Sequence, residues 1–184
     1  MKFFHGTNQI INNIDLSKGK LRTDFGLGFY IGNNLGEARK WAVKQSTPRQ
    51  TPTVMGYVLS RLIFDPSHLD ISRKIFKEPS EEWLEFVKEN RRRSSPNSLK
   101  VEPRHLYDIV YGPIADDKVA DVVEYYIDGK ITISEAVKRA KTIKSITQFS
   151  FHTPLSLQYI EQTQTMYQQL MKNGNWSDWR ALTV

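Results

Sequence analysis

Cysteine is absent from the whole 184-residue chain, which excludes a disulfide framework and any thiolate-ligated metal site. No apolar stretch approaches the roughly 18 residues needed to cross a bilayer. The opening "MKFFHGTNQI" has no apolar run behind its lysine, so it does not read as a signal peptide. Internal repeats, low-complexity tracts and a Gly/Pro/Ser-rich linker are missing as well. These absences set the expectation of a soluble, cytoplasmic protein without metal or membrane partner, folded as one domain over residues 1–184.

What is present is an ordinary apolar fraction of 39%, enough for a core, and a surplus of positive charge. Lys plus Arg number 26 against 20 Asp plus Glu, a formal net charge of +6. Such a surplus speeds encounter with polyanions, and it directs attention to nucleic acid as a partner.

Hydrophobic periodicity divides the chain into alternating elements. A short strand is expected over residues 2–5, ended by Gly6, and a loop over 8–20. A second strand covers 28–31. "NNLGEARKWAVKQ" repeats Leu35, Ala38, Trp41 and Ala42 at helical spacing, which predicts an amphipathic helix with Trp41 in the core. A β-rich run covers 53–64 and is broken by Pro66. Ser80 reads as the N-cap of an acidic-started helix. Residues 91–105, "RRRSSPNSLKVEPRH", read as an exposed basic loop. A strand over 106–112 follows, and then a helix from Asp116 or Asp117, both read as caps. Thr132 and Glu135 stand at capping-box spacing. A strand over 146–152 precedes Thr153-Pro154, which is expected to open another helix. The class expected is α+β.

Two glycine-rich imitations are set aside. "DFG" at Asp24 lacks the phosphate loop, strand lysine and catalytic loop that come before it in protein kinases. "GLGFYIG" has the wrong glycine spacing for a dinucleotide fingerprint, and a strand rather than a helix follows it. Singly, His5 reads as an ordinary strand-end histidine and Tyr30 as a core tyrosine.

Taken in order, however, "FHGT", "DFGLGFYIG", "EARKWA", "YGPIADD" and "TQFSFHTPLSL" resemble an uncharacterised, DUF3990-like bacterial family of the ADP-ribosyltransferase superfamily. The resemblance runs from residue 3 to about residue 160. It implies an ADP-ribosyltransferase-like fold, a split and bent pair of small sheets with surrounding helices, and NAD as co-substrate. It assigns His5, Gly6, Thr7, Gly28, Phe29 and Tyr30 to cofactor binding. His5 would bond the adenosine-side ribose, and Gly6 would let the backbone approach the nicotinamide amide. Tyr30 would stack on the nicotinamide ring, with Phe29 supporting the core from the other strand face. Gly26 and Gly28 would allow close approach of the ligand.

Where many members of the superfamily carry a glutamate, the aligned strand offers Gln148. An amide can bond a ribose hydroxyl but cannot act as a base. Strand alternation puts Gln148, Ser150 and His152 on one face, so His152 is a candidate acid/base beside Gln148 and Tyr30.

The leading expectation is an NAD-dependent ADP-ribosyltransferase, a toxin or antiphage effector. Its acceptor would be a macromolecule, RNA or DNA before protein, contacted by Arg91, Arg92 and Arg93. An antitoxin or immunity protein would be its partner. The alternatives are an NAD glycohydrolase, a degenerate nucleotide- or partner-binding module, and a metal-free ribonuclease using His5 and His152.

Overall fold

A computed structural model describes residues 2–68, 70–91, 105–115, 117–169, 171 and 174–182. Its strands are β1 (Lys2–Thr7), β2 (Phe29–Gly32), β3 (Thr53–Leu59), β4 (Arg73–Ile75), β5 (Ile109–Pro113), β6 (Thr147–Phe151), β7 (Ile160–Tyr167) and β8 (Arg180–Ala181). The helices are α1 (Leu35–Gln45), α2 (Glu81–Arg91), α3 (Asp117–Ile127) and α4 (Ile133–Thr142). Parallel and antiparallel pairings both occur, so the class is α+β with mixed sheet hydrogen bonding. Among the described residues no helix is long and apolar enough to cross a membrane.

Two compact units share the chain. The first comprises Met1–Ile14, Ile31–His68 and Leu157–Val184, and the second comprises Asp15–Tyr30 and Leu69–Ser156.

In the first unit β1 pairs antiparallel with β3, and β3 with β7, in the registers His5↔Met55 and Met55↔Thr165. Strand alternation turns Phe4 and Gly6 to one face. There Phe4, Val54 and Met166 pack with Ala38 and Ala42 of α1. A Cβ on Gly6 would stand 2.1 Å from the Ala38 carbonyl oxygen, so only glycine lets helix and strand meet. Asn34 caps α1, its side-chain oxygen accepting from the Glu37 N–H at 3.2 Å.

Trp41 corrects the expectation of a core tryptophan: it is 43% exposed. The alanines occupy the close contact with the sheet, which turns Trp41 off that face and under the Lys44 ammonium, 5.8 Å from its ring. The 53–64 run also ends earlier than expected. Ser60 starts a short 3-10 turn over Arg61–Phe64, its hydroxyl accepting from the Leu62 N–H at 3.3 Å. Where Thr153-Pro154 was expected to open a helix, there is only the single 3-10 turn Ser156–Tyr159, followed by β7. The largely polar "IEQTQTMY" of β7 carries no clean apolar alternation, which is why periodicity missed it.

In the second unit β4 lies parallel to β5, and β5 antiparallel to β6. Strand β5 begins at Ile109, not residue 106, because Leu106 is 89% exposed and Asp108 is tied to Ser72. Three helices bury Trp83, Leu84, Val87, Val119, Val123 and Ala136 in one cluster. The Trp83 indole donates to the Pro113 carbonyl at 2.8 Å, which satisfies the polar atom of a fully buried ring. Ser80 and Thr132 cap α2 and α4 as their sequence positions predict, accepting from the Trp83 and Glu135 N–H groups.

Candidate functional site

The densest cluster of polar side chains in the second unit surrounds the loop of residues 23–28. Asp24 anchors it. The Asp24 carboxylate accepts from Arg91 through Oδ1 and from the Ala115 N–H at 2.6 Å through Oδ2. Gly26 follows with a φ of 83°, the left-handed region that favours glycine. A Cβ there would also meet Asn90 Oδ1 at 2.7 Å.

Three side chains donate to this loop's carbonyls. Tyr30 Oη bonds the Gly26 oxygen at 2.6 Å, His105 Nε2 bonds that of Phe25 at 2.8 Å, and His152 Nδ1 bonds that of Leu27 at 2.8 Å. The imidazoles meet edge to face with centroids 4.5 Å apart. His152 Nε2 lies 2.9 Å from Ser150 Oγ, which confirms that these two residues share a face of β6. Phe149 and Phe151, on the other face, are buried.

Burial sets the protonation of this cluster. It pulls the His152 imidazole down to about 4, with His105 adding to the depression and the Leu27 carbonyl and Asp108 opposing it. Burial likewise lowers His105, against the pull of the Phe25 carbonyl. The Tyr30 phenol is pushed up, again chiefly by burial. Both imidazoles are therefore neutral at pH 7.

Gln148 stands opposite Gly112 on β5. It is half-buried, and among the described residues its amide makes no hydrogen bond. Tyr30, half-buried, lies offset-stacked on Phe25 at 6.4 Å, and Phe29 is buried as expected. The room that Gly28 leaves is taken up within the chain: a Cβ would meet the Phe151 oxygen at 2.7 Å and His152 Nδ1 at 2.8 Å.

His5, Gly6 and Thr7 lie on β1 in the first unit. His5 is half-buried, and alternation turns it away from the α1 face that Gly6 joins.

Arg91 differs from its reading as a loop residue facing an acceptor. It ends α2, its side chain 16% exposed and committed to Asp24. Arg92, Arg93 and Asp116 lie outside the described residues. His105 and Asp24 are the site residues that sequence reading missed. Their partners sit 80 and 67 residues away, beyond the reach of any local pattern.

A family model described as "Protein of unknown function (DUF3990)" matches residues 1–162. No curated protein and no solved structure matches the chain.

Proposed function

The chain belongs to the DUF3990 family, and we propose that it is an NAD-dependent ADP-ribosyltransferase. The reading rests on the ordered motifs that resemble that superfamily. The observation that carries it is Gln148, a half-buried amide on β6 with both its donor and its acceptor unused among the described residues. A partly desolvated amide without a partner is costly unless a ligand satisfies it.

In the reaction proposed, the bond between ribose C1′ and the nicotinamide nitrogen breaks, and nicotinamide leaves with the bonding pair. The resulting cation resembles that of glycoside cleavage. The Gln148 carbonyl accepts from the 2′-hydroxyl, a bond that strengthens as positive charge develops next door. Tyr30 offers a ring face to nicotinamide, and His5 bonds the second ribose. A nucleophile on the acceptor then gives its pair to C1′ and loses its own proton.

An amide cannot remove that proton, so the chemistry suits an acceptor needing little activation, such as a nucleic-acid base nitrogen. The basic residues Arg92, Arg93, Lys100 and Arg104 support a polyanionic acceptor. Arg91 leaves that set because Asp24 holds it. His152 leaves the acid/base role, since both its nitrogens are committed and its partner Ser150 is fully buried. The biological role that follows is that of a cytoplasmic toxin or antiphage effector, held in check by an antitoxin or immunity protein.

The test is incubation of the protein with labelled NAD and total cell extract, followed by protease, RNase or DNase. Label on a nuclease-sensitive macromolecule supports the proposal, and protease-sensitive label moves the acceptor to protein. Free ADP-ribose alone means glycohydrolase. Untouched NAD means a binding module, an outcome the missing glutamate makes worth including.

A further inference from the structure

The carbonyls of Phe25, Gly26 and Leu27 are consecutive, and each takes its hydrogen bond from a side chain. A carbonyl has no proton to give, so His105 donates from Nε2 and His152 from Nδ1, which fixes both tautomers. The remaining nitrogens are occupied too. His105 Nδ1 accepts from the Tyr107 N–H at 3.2 Å. His152 Nε2 faces Ser150 Oγ at 2.9 Å.

A second proton has different consequences at the two rings. On His152, Ser150 can turn its hydroxyl to the Val110 carbonyl, 3.2 Å away, and accept from the new Nε2–H. No bond is lost. On His105, the new Nδ1–H would confront the Tyr107 N–H, donor against donor. The ring must swing, and the Phe25 carbonyl loses its partner.

We propose that His105 is a positioning residue that latches the loop of residues 24–28, and that a proton on its Nδ1 releases that loop. Phe86 of α2 packs on the ring at 5.0 Å, and the titratable groups that face it among the described residues are Tyr107 and His152. Asp108 acts on His152. Because burial holds His105 below its ordinary value, release comes in mild acid rather than at neutrality. The latch closes the loop that leads directly into Tyr30. That this loop serves NAD rests on the function proposed above, whereas the latch itself does not.

Amide hydrogen exchange of residues 25–28, corrected for intrinsic pH dependence, tests the latch on the free protein. Protection should fall by up to about tenfold per pH unit in mild acid, the signature of one proton, while α4 stays protected. His105→Gln keeps an amide donor near Nε2 but cannot titrate, so its loop should stay protected through the same range. His105→Phe should lose loop protection at every pH. Parallel loss in the parent and His105→Gln would overturn the latch, as would parental protection in His105→Phe. With NAD, the parent should lose turnover over the acid limb that His105→Gln lacks. Loop release without NAD turnover by any form leaves the latch standing and overturns the cofactor reading alone.

Discussion

Arg91 places Nε 2.7 Å and Nη2 2.6 Å from the same carboxylate oxygen of Asp24, in a pair whose side chains are 16% and 7% exposed. Arg91→Ala would leave a buried carboxylate with only the Ala115 N–H to satisfy it. Breaking such a pair typically costs about 3–5 kcal/mol. Urea denaturation should show a loss of that order for Arg91→Ala. The double exchange Arg92→Ser with Arg93→Ser should leave stability near the parent and weaken acceptor modification, with a flatter salt slope.

Gln148→Ala should lower the rate of NAD turnover more than it lowers NAD affinity, because the bond to the ribose is strongest in the transition state. Gln148→Glu is expected to raise NAD hydrolysis by restoring charge beside the cation. Single-turnover kinetics with parallel NAD titration separate the two effects. Parental kinetics in the alanine variant would remove Gln148 from the site.

His5→Ala and Tyr30→Ala should each depress NAD binding, the tyrosine by about 1 kcal/mol of lost stacking. Tyr30→Phe keeps the ring and loses the hydroxyl that bonds the Gly26 carbonyl. Its NAD affinity should therefore stay closer to the parent while its stability falls by roughly 1–3 kcal/mol. Calorimetric NAD binding beside thermal melts checks that separation.

The native His152 imidazole takes up its proton near pH 4, the unfolded one near 6.5. Its contribution to stability is therefore complete above about pH 6.5 and is lost as pH falls toward 4, at up to about 1.4 kcal/mol per unit. His152→Asn keeps a donor for the Leu27 carbonyl and cannot titrate. Its stability should fall less steeply across that window, measured by denaturant midpoints at successive pH values.

Gly6→Ala should be among the most damaging small changes in the chain. The added carbon meets the Ala38 carbonyl at 2.1 Å and the Ala42 nitrogen at 3.2 Å, both backbone atoms. Relief requires α1 to lift from the sheet, a cost of several kcal/mol by analogy with overpacked cores. A melting temperature within a few degrees of the parent would contradict that geometry.

Local chemistry made much of the fold readable. The caps at Ser80 and Thr132 and the strand character of 147–151 follow from short-range rules, and all appear. Trp41 misled because periodicity reports a stripe without its width, and the alanines, not the tryptophan, fit against Gly6. β7 was invisible because its stability comes from pairing with β3, about a hundred residues earlier, and not from its own composition. At the site, alternation correctly joined Ser150 to His152. It had no means of finding His105 or the Asp24–Arg91 pair, whose partners are set by the tertiary fold.

The division of the chain has a consequence for its synthesis. The first unit draws on residues near both ends, and its β3 edge waits for β7 to emerge from the ribosome. Until then a strand with the buried Val54, Met55 and Tyr57 presents open backbone groups, a template for pairing with other chains. Translation stalled before residue 160 thus yields an aggregation-prone fragment, and pulse-labelled nascent chains should gain protease resistance late and abruptly.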